Sequence, residues 1–206
     1  MTELIGEVVL LDRENGNYEQ AFVYEGICEQ HIDDVERLWV PQIKANLSRI
    51  QNNDDIAALH IQDFHWNWRA KVTAFSRQLA YRSFALECGG QTQGLMYVNT
   101  TKRCRLEGQA NQHLVYVEYL ATAPWNRPSL VGCPKYKGVG SIMIATAIQA
   151  SVDEEMQGRI GLHSLPQADP FYRDICGMTD LGVDSDKQNL RYFEMTAEQA
   201  MAFLNQ

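Results

Sequence analysis

One stretch limits the possible folds more than any other. Residues 139–152, VGSIMIATAIQASV, are apolar on nearly every side of a helix. Ile142, Ala145, Ile148 and Val152 mark one face, while Met143, Ile144 and Ala147 spread onto the others. Such a helix must be buried, and a sheet is the natural cover for it. The most strand-like run in the chain, His113 to Ala121 (HLVYVEYLA), precedes it across a loop rich in Pro and Gly.

Further strands are predicted at Glu7–Leu11, ended by Asn15-Gly16-Asn17, and at Tyr81–Leu86 and Gly94–Asn99. The last two flank Cys88-Gly89-Gly90 as a hairpin, and short strands follow at 160–165, 181–183 and 190–193. Apolar spacing predicts helices over 32–50 and 56–79 and a short one over 169–176. Thr196 with Gln199 matches a capping box that opens a terminal helix. Strand and helix alternate in the second half and hairpins dominate the middle. The class is therefore mixed α/β, with a sheet that cannot be purely parallel. No repeat or linker divides the 206 residues, so a single domain, 1–206, is expected.

The formal charge of −8 repels phosphate backbones and argues against general nucleic-acid binding. The same charge suits a cationic partner such as an amine. Five cysteines, odd in number and without a CxxC pair, suggest reduced thiols and a cytoplasmic protein. No run approaches the ~18 unbroken apolar residues of a membrane span, and the acid-flanked N-terminal run reads as a strand. His60 and His65, with Asp63 between them, lack the spacing of a metal-binding HExxH helix, so no metal is expected.

The chemistry is concentrated between His113 and Met178. Gly138 and Gly140 open the buried helix without side chains, so first-turn N–H groups can approach an anion that the helix dipole also favours. Lys135 and Lys137 add cations, and a diphosphate is the natural ligand. A Walker A loop does not fit, because five residues separate Gly132 from Gly138 and Val139 stands where Lys is required. A dinucleotide fingerprint needs a third glycine where Met143 stands.

The run Lys135-Tyr136-Lys137-Gly138-Val139-Gly140 resembles the pyrophosphate loop of the Gcn5-related N-acetyltransferase (GNAT) superfamily, with Lys in place of the first Arg or Gln. The order of elements fits as well. The loop leads to the buried helix, a strand at 159–165 follows, and Asp169–Met178 resembles the short Tyr-bearing helix, with Gly177-Met178 for the usual Gly-aromatic pair. Two departures stand out. Ten extra residues, WNRPSLVGCP, precede the glycine loop, and His163, Ser164 and Gln167 lie where an Asn is often found.

The resemblance implies a twisted mixed sheet of about six to seven strands with helices on both faces. It implies acetyl-CoA as acyl donor, a small-molecule or peptide amine as acceptor, and a homodimer by analogy. The diphosphate would sit on Val139, Gly140 and Ser141, and the pantetheine arm along Leu120, Ala121 and Thr122. Asn126 and Arg127 are candidates to reach the acceptor or the 3′-phosphate.

Direct attack on the thioester needs a neutral amine, hence a base, and the leaving thiolate needs a proton donor. Glu118 is the candidate base, since it interrupts an apolar strand on the face shared by Tyr116 and Leu120. A partly exposed strand Glu, or one paired with an Arg, is the simpler alternative. Tyr172 is the candidate acid, by its position in the resemblance. Trp66 and Trp68 would line an acceptor cleft or pack, and Cys133 beside Lys135 is a weaker nucleophile candidate. The runner-up function is a catalytically silent acyl-CoA sensor or interaction protein.

Overall fold

The computed structural model describes residues 2–48 and 62–206. The described residues form two compact units. The first is drawn from Met1–Gln78, Ser83–Met96 and Leu120–Met143, the second from Leu79–Arg82, Tyr97–Tyr119 and Ile144–Gln206. The strands are β1 (Glu3–Asp12), β2 (Tyr18–Glu25), β3 (Tyr81–Cys88), β4 (Gln91–Arg103), β5 (His113–Thr122), β6 (Tyr136–Lys137), β7 (Ile160–Ser164), β8 (Thr179–Asp184) and β9 (Leu190–Met195). They make one mixed sheet in the order β6-β1-β2-β3-β4-β5-β7-β9-β8. Among the described residues that is nine strands, against the six to seven expected. The two not foreseen are β2, whose core side is only Ala21 and Val23, and the two-residue β6.

In the first unit β1 and β2 form an antiparallel hairpin over the predicted turn, where the Asp12 N–H donates to Asn17 O at 2.8 Å. The predicted 32–50 helix is interrupted. Helix α1 (Glu29–Asp34) passes through one wide π turn, Val35–Trp39, into α2 (Val40–Leu47). The cause is Pro41, which has no N–H to give to the preceding turn and crowds its carbonyls. The Val40 N–H reaches back to Val35 O instead. Thr92 anchors this segment. Its N–H and hydroxyl both donate to Asp34 Oδ2 at 2.8 Å, and its carbonyl accepts from the Trp39 indole at 3.1 Å. Of the predicted 56–79 helix, residues 56–61 lie outside the described residues, and α3 (Trp68–Phe75) is capped by Asn67 Oδ1 on the Ala70 N–H at 2.9 Å.

In the second unit β5 pairs parallel with β7 from Val115↔Ile160 to Val117↔Leu162, while β7–β9 and β8–β9 are antiparallel. Helix α4 (Val139–Asp153) is buried as expected, but through Met143, Ile144, Ala147 and Ile148; of the face marked in the sequence, Ile142 and Ala145 are half-buried and Val152 is exposed. The short helix predicted at 169–176 is a single π turn, Phe171–Ile175, closed by the Cys176 N–H on Phe171 O at 2.9 Å. The Thr196 capping box opens α5 (Ala197–Leu204). Among the described residues no helix is long and apolar enough to cross a membrane.

Candidate functional site

In the first unit, Gly138 holds the hinge of the glycine loop. Its φ of +104° is one that residues with a Cβ rarely adopt, and its carbonyl accepts the first helical bond, from the Ile142 N–H at 2.9 Å. Gly138 is thus the N-cap, and the N–H groups of Val139, Gly140 and Ser141 are the first-turn donors that no intrahelical carbonyl can take. Val139 is buried and Gly140 and Ser141 half-buried. The preceding residues are pinned as β6, with Tyr136 opposite Asp12 and Lys137 opposite Leu11. The buried Tyr136 hydroxyl donates to Glu19 Oε2 at 2.8 Å, and burial holds that phenol well above its ordinary pKa. Lys137 is exposed, and the Lys135 ammonium lies 4.9 Å from the Tyr136 ring centre.

The ten residues before this loop are stitched down around Gln93, which is 1% exposed. Gln93 Oε1 accepts from the Trp125 indole at 2.8 Å and from Asn126 Nδ2 at 2.9 Å. Asn126 Oδ1 takes the Tyr136 N–H at 3.0 Å, and Trp125 O takes the Lys135 N–H at 2.9 Å. Arg127 gives Nε to Thr122 O and a second nitrogen to Asp63, each at 2.8 Å. Asn126 and Arg127 therefore hold the loop rather than project from it. Ala121 is buried, Leu120 half-buried, and the Thr122 carbonyl is engaged by Arg127. Gln93 is not legible in the sequence, because an amide in a β-hairpin carries no motif.

In the second unit, β5 alternates as expected. Val115 and Val117 are buried, while Tyr116 and Glu118 are half-buried on the other face. Among the described residues the Glu118 carboxylate makes no hydrogen bond or ion pair. The ladder to β7 stops at Val117, so Glu118 stands at the first position past its end. Tyr172 is 7% exposed, 5.3 Å from the Phe171 ring and 6.0 Å from the Phe193 ring. Burial, with Cys176 and Asp169 nearby, raises its pKa, so the phenol keeps its proton at neutral pH.

Beyond these, the second unit holds a polar network that the sequence did not announce. Tyr116 Oη is 2.7 Å from His163 Nδ1, and His163 Nε2 is 2.9 Å from Asp184 Oδ2. Arg105 Nη1 reaches the same Asp184 oxygen at 2.6 Å, and its guanidinium lies 4.3 Å from the Tyr192 ring centre. Hydrogen bonds from Arg105 and His163 hold Asp184 down to about 2, and burial lowers His163. The fully buried Glu194 accepts from the Arg105 and Leu106 N–H groups, Gln109 Nε2 and the Tyr192 hydroxyl. Its one trace in the sequence is His163, in the region where the resembling family often has an Asn.

No protein-family model matches the sequence, and a search of curated proteins finds no match. Solved structures do match. The PaiA N-acetyltransferase of Thermoplasma acidophilum, in complex with coenzyme A, aligns with TM-score 0.53 at 9% identity, covering 84% of this chain and 98% of that one. A Desulfovibrio desulfuricans protein assigned to the GNAT family gives 0.51 at 11%, covering 86% and 99%. An N-acyl amino acid synthase from uncultured soil microbes gives 0.53 at 10%, covering 89% and 94%. The chain has the GNAT fold.

Other candidate residues gain less from the GNAT fold. Trp68 is buried and Trp66 half-buried, their rings 6.3 Å apart edge to face. Together with Ile32, Val35 and Val40 they line a shallow groove of about 150 Å³. Trp68 thus packs, and Trp66 borders an opening. Cys133 is exposed, while burial pushes the Cys104 thiol up to about 11 and the Cys176 thiol up to about 12. Among the described residues no group of three or more His, Cys, Asp or Glu could hold a metal ion, and His60 lies outside them.

Proposed function

We propose that the chain, working as a single catalytic domain, is an acyl-CoA-dependent N-acetyltransferase that acts on an amine of a small molecule or peptide. The observation that carries this reading is the Gly138 N-cap. A glycine at positive φ turns the chain into a buried helix and leaves three first-turn N–H groups as donors, with Lys135 and Lys137 just before them. A diphosphate fits that donor set, because neutral N–H groups and ammonium groups both favour an anion there. Leu120 and Ala121 would offer backbone groups to the pantetheine arm. Thr122 offers only its N–H, since its carbonyl is engaged.

In this reading the Glu118 carboxylate takes a proton from the incoming ammonium, directly or through water. The freed nitrogen attacks the thioester carbonyl carbon, the C–S bond breaks, and the sulfur leaves as thiolate. The nitrogen sheds its second proton as the amide forms, and the Tyr172 hydroxyl supplies a proton to that sulfur. The Glu118 carboxylate, which makes no hydrogen bond or ion pair among the described residues, supports the first role, and Tyr172 carries a phenolic proton to give.

Thermal unfolding with acetyl-CoA, and with NADH and ATP as controls, tests the donor site. At ~100 times its Kd a ligand adds about 2.7 kcal/mol, a rise of several degrees. The rise is expected with acetyl-CoA alone and should vanish in Gly140→Glu. No rise at millimolar acetyl-CoA overturns the reading. Thiol release over an amine panel then separates an enzyme from a silent sensor.

A further inference from the structure

An alkylammonium must lose two protons to become an amide, one before attack and one as the N–C bond forms. A single carboxylate such as Glu118 accounts for the first. We propose that Tyr116, His163 and Asp184 form a relay that takes the second, with Tyr116 as the catalytic residue and His163 and Asp184 positioning it. This inference rests on the acetyl-transfer reading above.

The hydrogen-bond chemistry fixes a direction for the relay. Asp184 Oδ2 lies 2.6 Å from Arg105 Nη1 and 2.9 Å from His163 Nε2, and beside a guanidinium it is an ionised carboxylate that can only accept. His163 Nε2 must therefore carry the imidazole proton. That leaves Nδ1 as an acceptor, and the Tyr116 hydroxyl, 2.7 Å away, as its donor. The His163 side chain is 4% exposed and that of Asp184 14%, and Tyr116, half-buried, shares its strand face with Glu118, so Tyr116 is the member beside the proposed base. The surroundings leave the ring little freedom. The Tyr192 ring lies 4.9 Å from it, and its hydroxyl is committed to Glu194. A Cβ at position 161 would fall 2.6 Å from that hydroxyl, so the glycine there makes the arrangement possible. The charged and titratable groups around His163 are Asp184, Arg105, Lys187, Tyr116 and Tyr192.

As the amine nitrogen bonds to the acyl carbon, its proton passes to Tyr116 Oη while the Tyr116 proton passes to His163 Nδ1. The product is an imidazolium held by the Asp184 carboxylate, with Tyr116 unchanged. Collapse breaks the C–S bond and the thiolate takes its proton from Tyr172; water then carries the imidazolium proton back to Tyr172, and Glu118 releases its proton to solvent. No oxidant, reductant or metal is needed.

The test combines kinetics and NMR on the full chain, with acetyl-CoA and three probe amines: lysine, a short peptide with a free N-terminus, and an aralkylamine. In Tyr116→Phe kcat is expected to fall by about a hundredfold near pH 7, with the acetyl-CoA thermal shift retained. The deficit should shrink as pH rises and hydroxide replaces the relay. Asp184→Asn should lower kcat and move the imidazole proton to Nδ1. Wild-type kcat in Tyr116→Phe, or an unchanged pH profile, overturns the relay alone. Acetyl-CoA binding without turnover of any probe amine also counts against it. No acetyl-CoA shift in the wild-type protein overturns the underlying reading instead. Should the variants fail to fold, imidazole nitrogen shifts of the wild-type protein decide: an Nε2–H tautomer supports the relay, and an Nδ1–H tautomer overturns it.

Discussion

The glycine loop of the first unit and the Arg105–Glu194 network of the second are both held by hydrogen bonds, but of different kinds. Around the loop the partners are mostly neutral, Gln93, Asn126, Trp125 and backbone groups, with the carboxylates of Glu19 on Tyr136 and Asp63 on Arg127 the charged exceptions. Such bonds contribute about 1 kcal/mol each, and they shape the backbone more than they stabilise it. In the second unit the central acceptors are carboxylates, Asp184 and the fully buried Glu194, and Glu194 alone takes four donors. Charge-assisted bonds in a buried setting are stronger, and leaving one side unpaired is more costly. One region is therefore tuned for a backbone conformation, the other for fixed protonation states.

The largest expected effect breaks the second region. Glu194→Ala strands four donors at a site with no solvent access and should cost about 4 kcal/mol, lowering Tm by about 10 °C. A loss under about 3 °C by circular dichroism would show that the network is not held through Glu194. Next in size, Gln93→Leu removes the acceptor shared by Trp125 and Asn126 and should cost about 2 kcal/mol. Its sharper signature is faster proteolytic nicking between residues 125 and 135, which would show that the long loop owes its order to this one amide. Gly138→Ala forces a residue with a Cβ to φ near +104° and should cost about 1–2 kcal/mol. Its acetyl-CoA affinity should fall by more than that strain alone predicts, because the first-turn N–H groups would turn away.

The difference between the regions also explains which parts could be read in advance. The glycine loop, the buried helix α4, the hairpin at Gly89-Gly90 and the Thr196 cap are local devices, each written in a few neighbouring residues. The seven strands with a clear apolar signal were foreseen. Strand β2 was not, because Ala21 and Val23 alone make too short an alternation, and the break at Val35–Trp39 follows from Pro41, which a periodicity count passes over. The acid–base network is distributed among residues 105, 116, 163, 184, 192 and 194, and no spacing rule brings these together before the strands have paired. Glu118 could be singled out because a carboxylate stands out in an apolar strand. Tyr116, two residues away on the same face, could not, since an aromatic residue there is ordinary.

The smallest expected effect is a dependence on pH, and it bears on the protonation states directly. Burial lowers the pKa of His163 from its ordinary 6.5, so near pH 6 the unfolded chain binds a proton that the folded chain does not. Stability therefore rises with pH through this group. It is fully present above about 6.5 and is lost as pH falls below it. The ceiling for one such group is about 0.8 kcal/mol between pH 8 and pH 6. Asp184 contributes in a lower window. Arg105 and His163 hold it down to about 2, so its contribution is present above its ordinary 3.8 and is lost as pH falls towards 2. Denaturant unfolding at several pH values reads the first window, and the difference in slope between the wild-type protein and His163→Gln isolates His163 from the other histidines. A wild-type slope less steep than that of His163→Gln would mean that the folded protein holds the His163 proton more tightly than the unfolded chain does. The imidazolium could then accept nothing from Tyr116, and the second region would be a structural clamp, like the loop it is compared with.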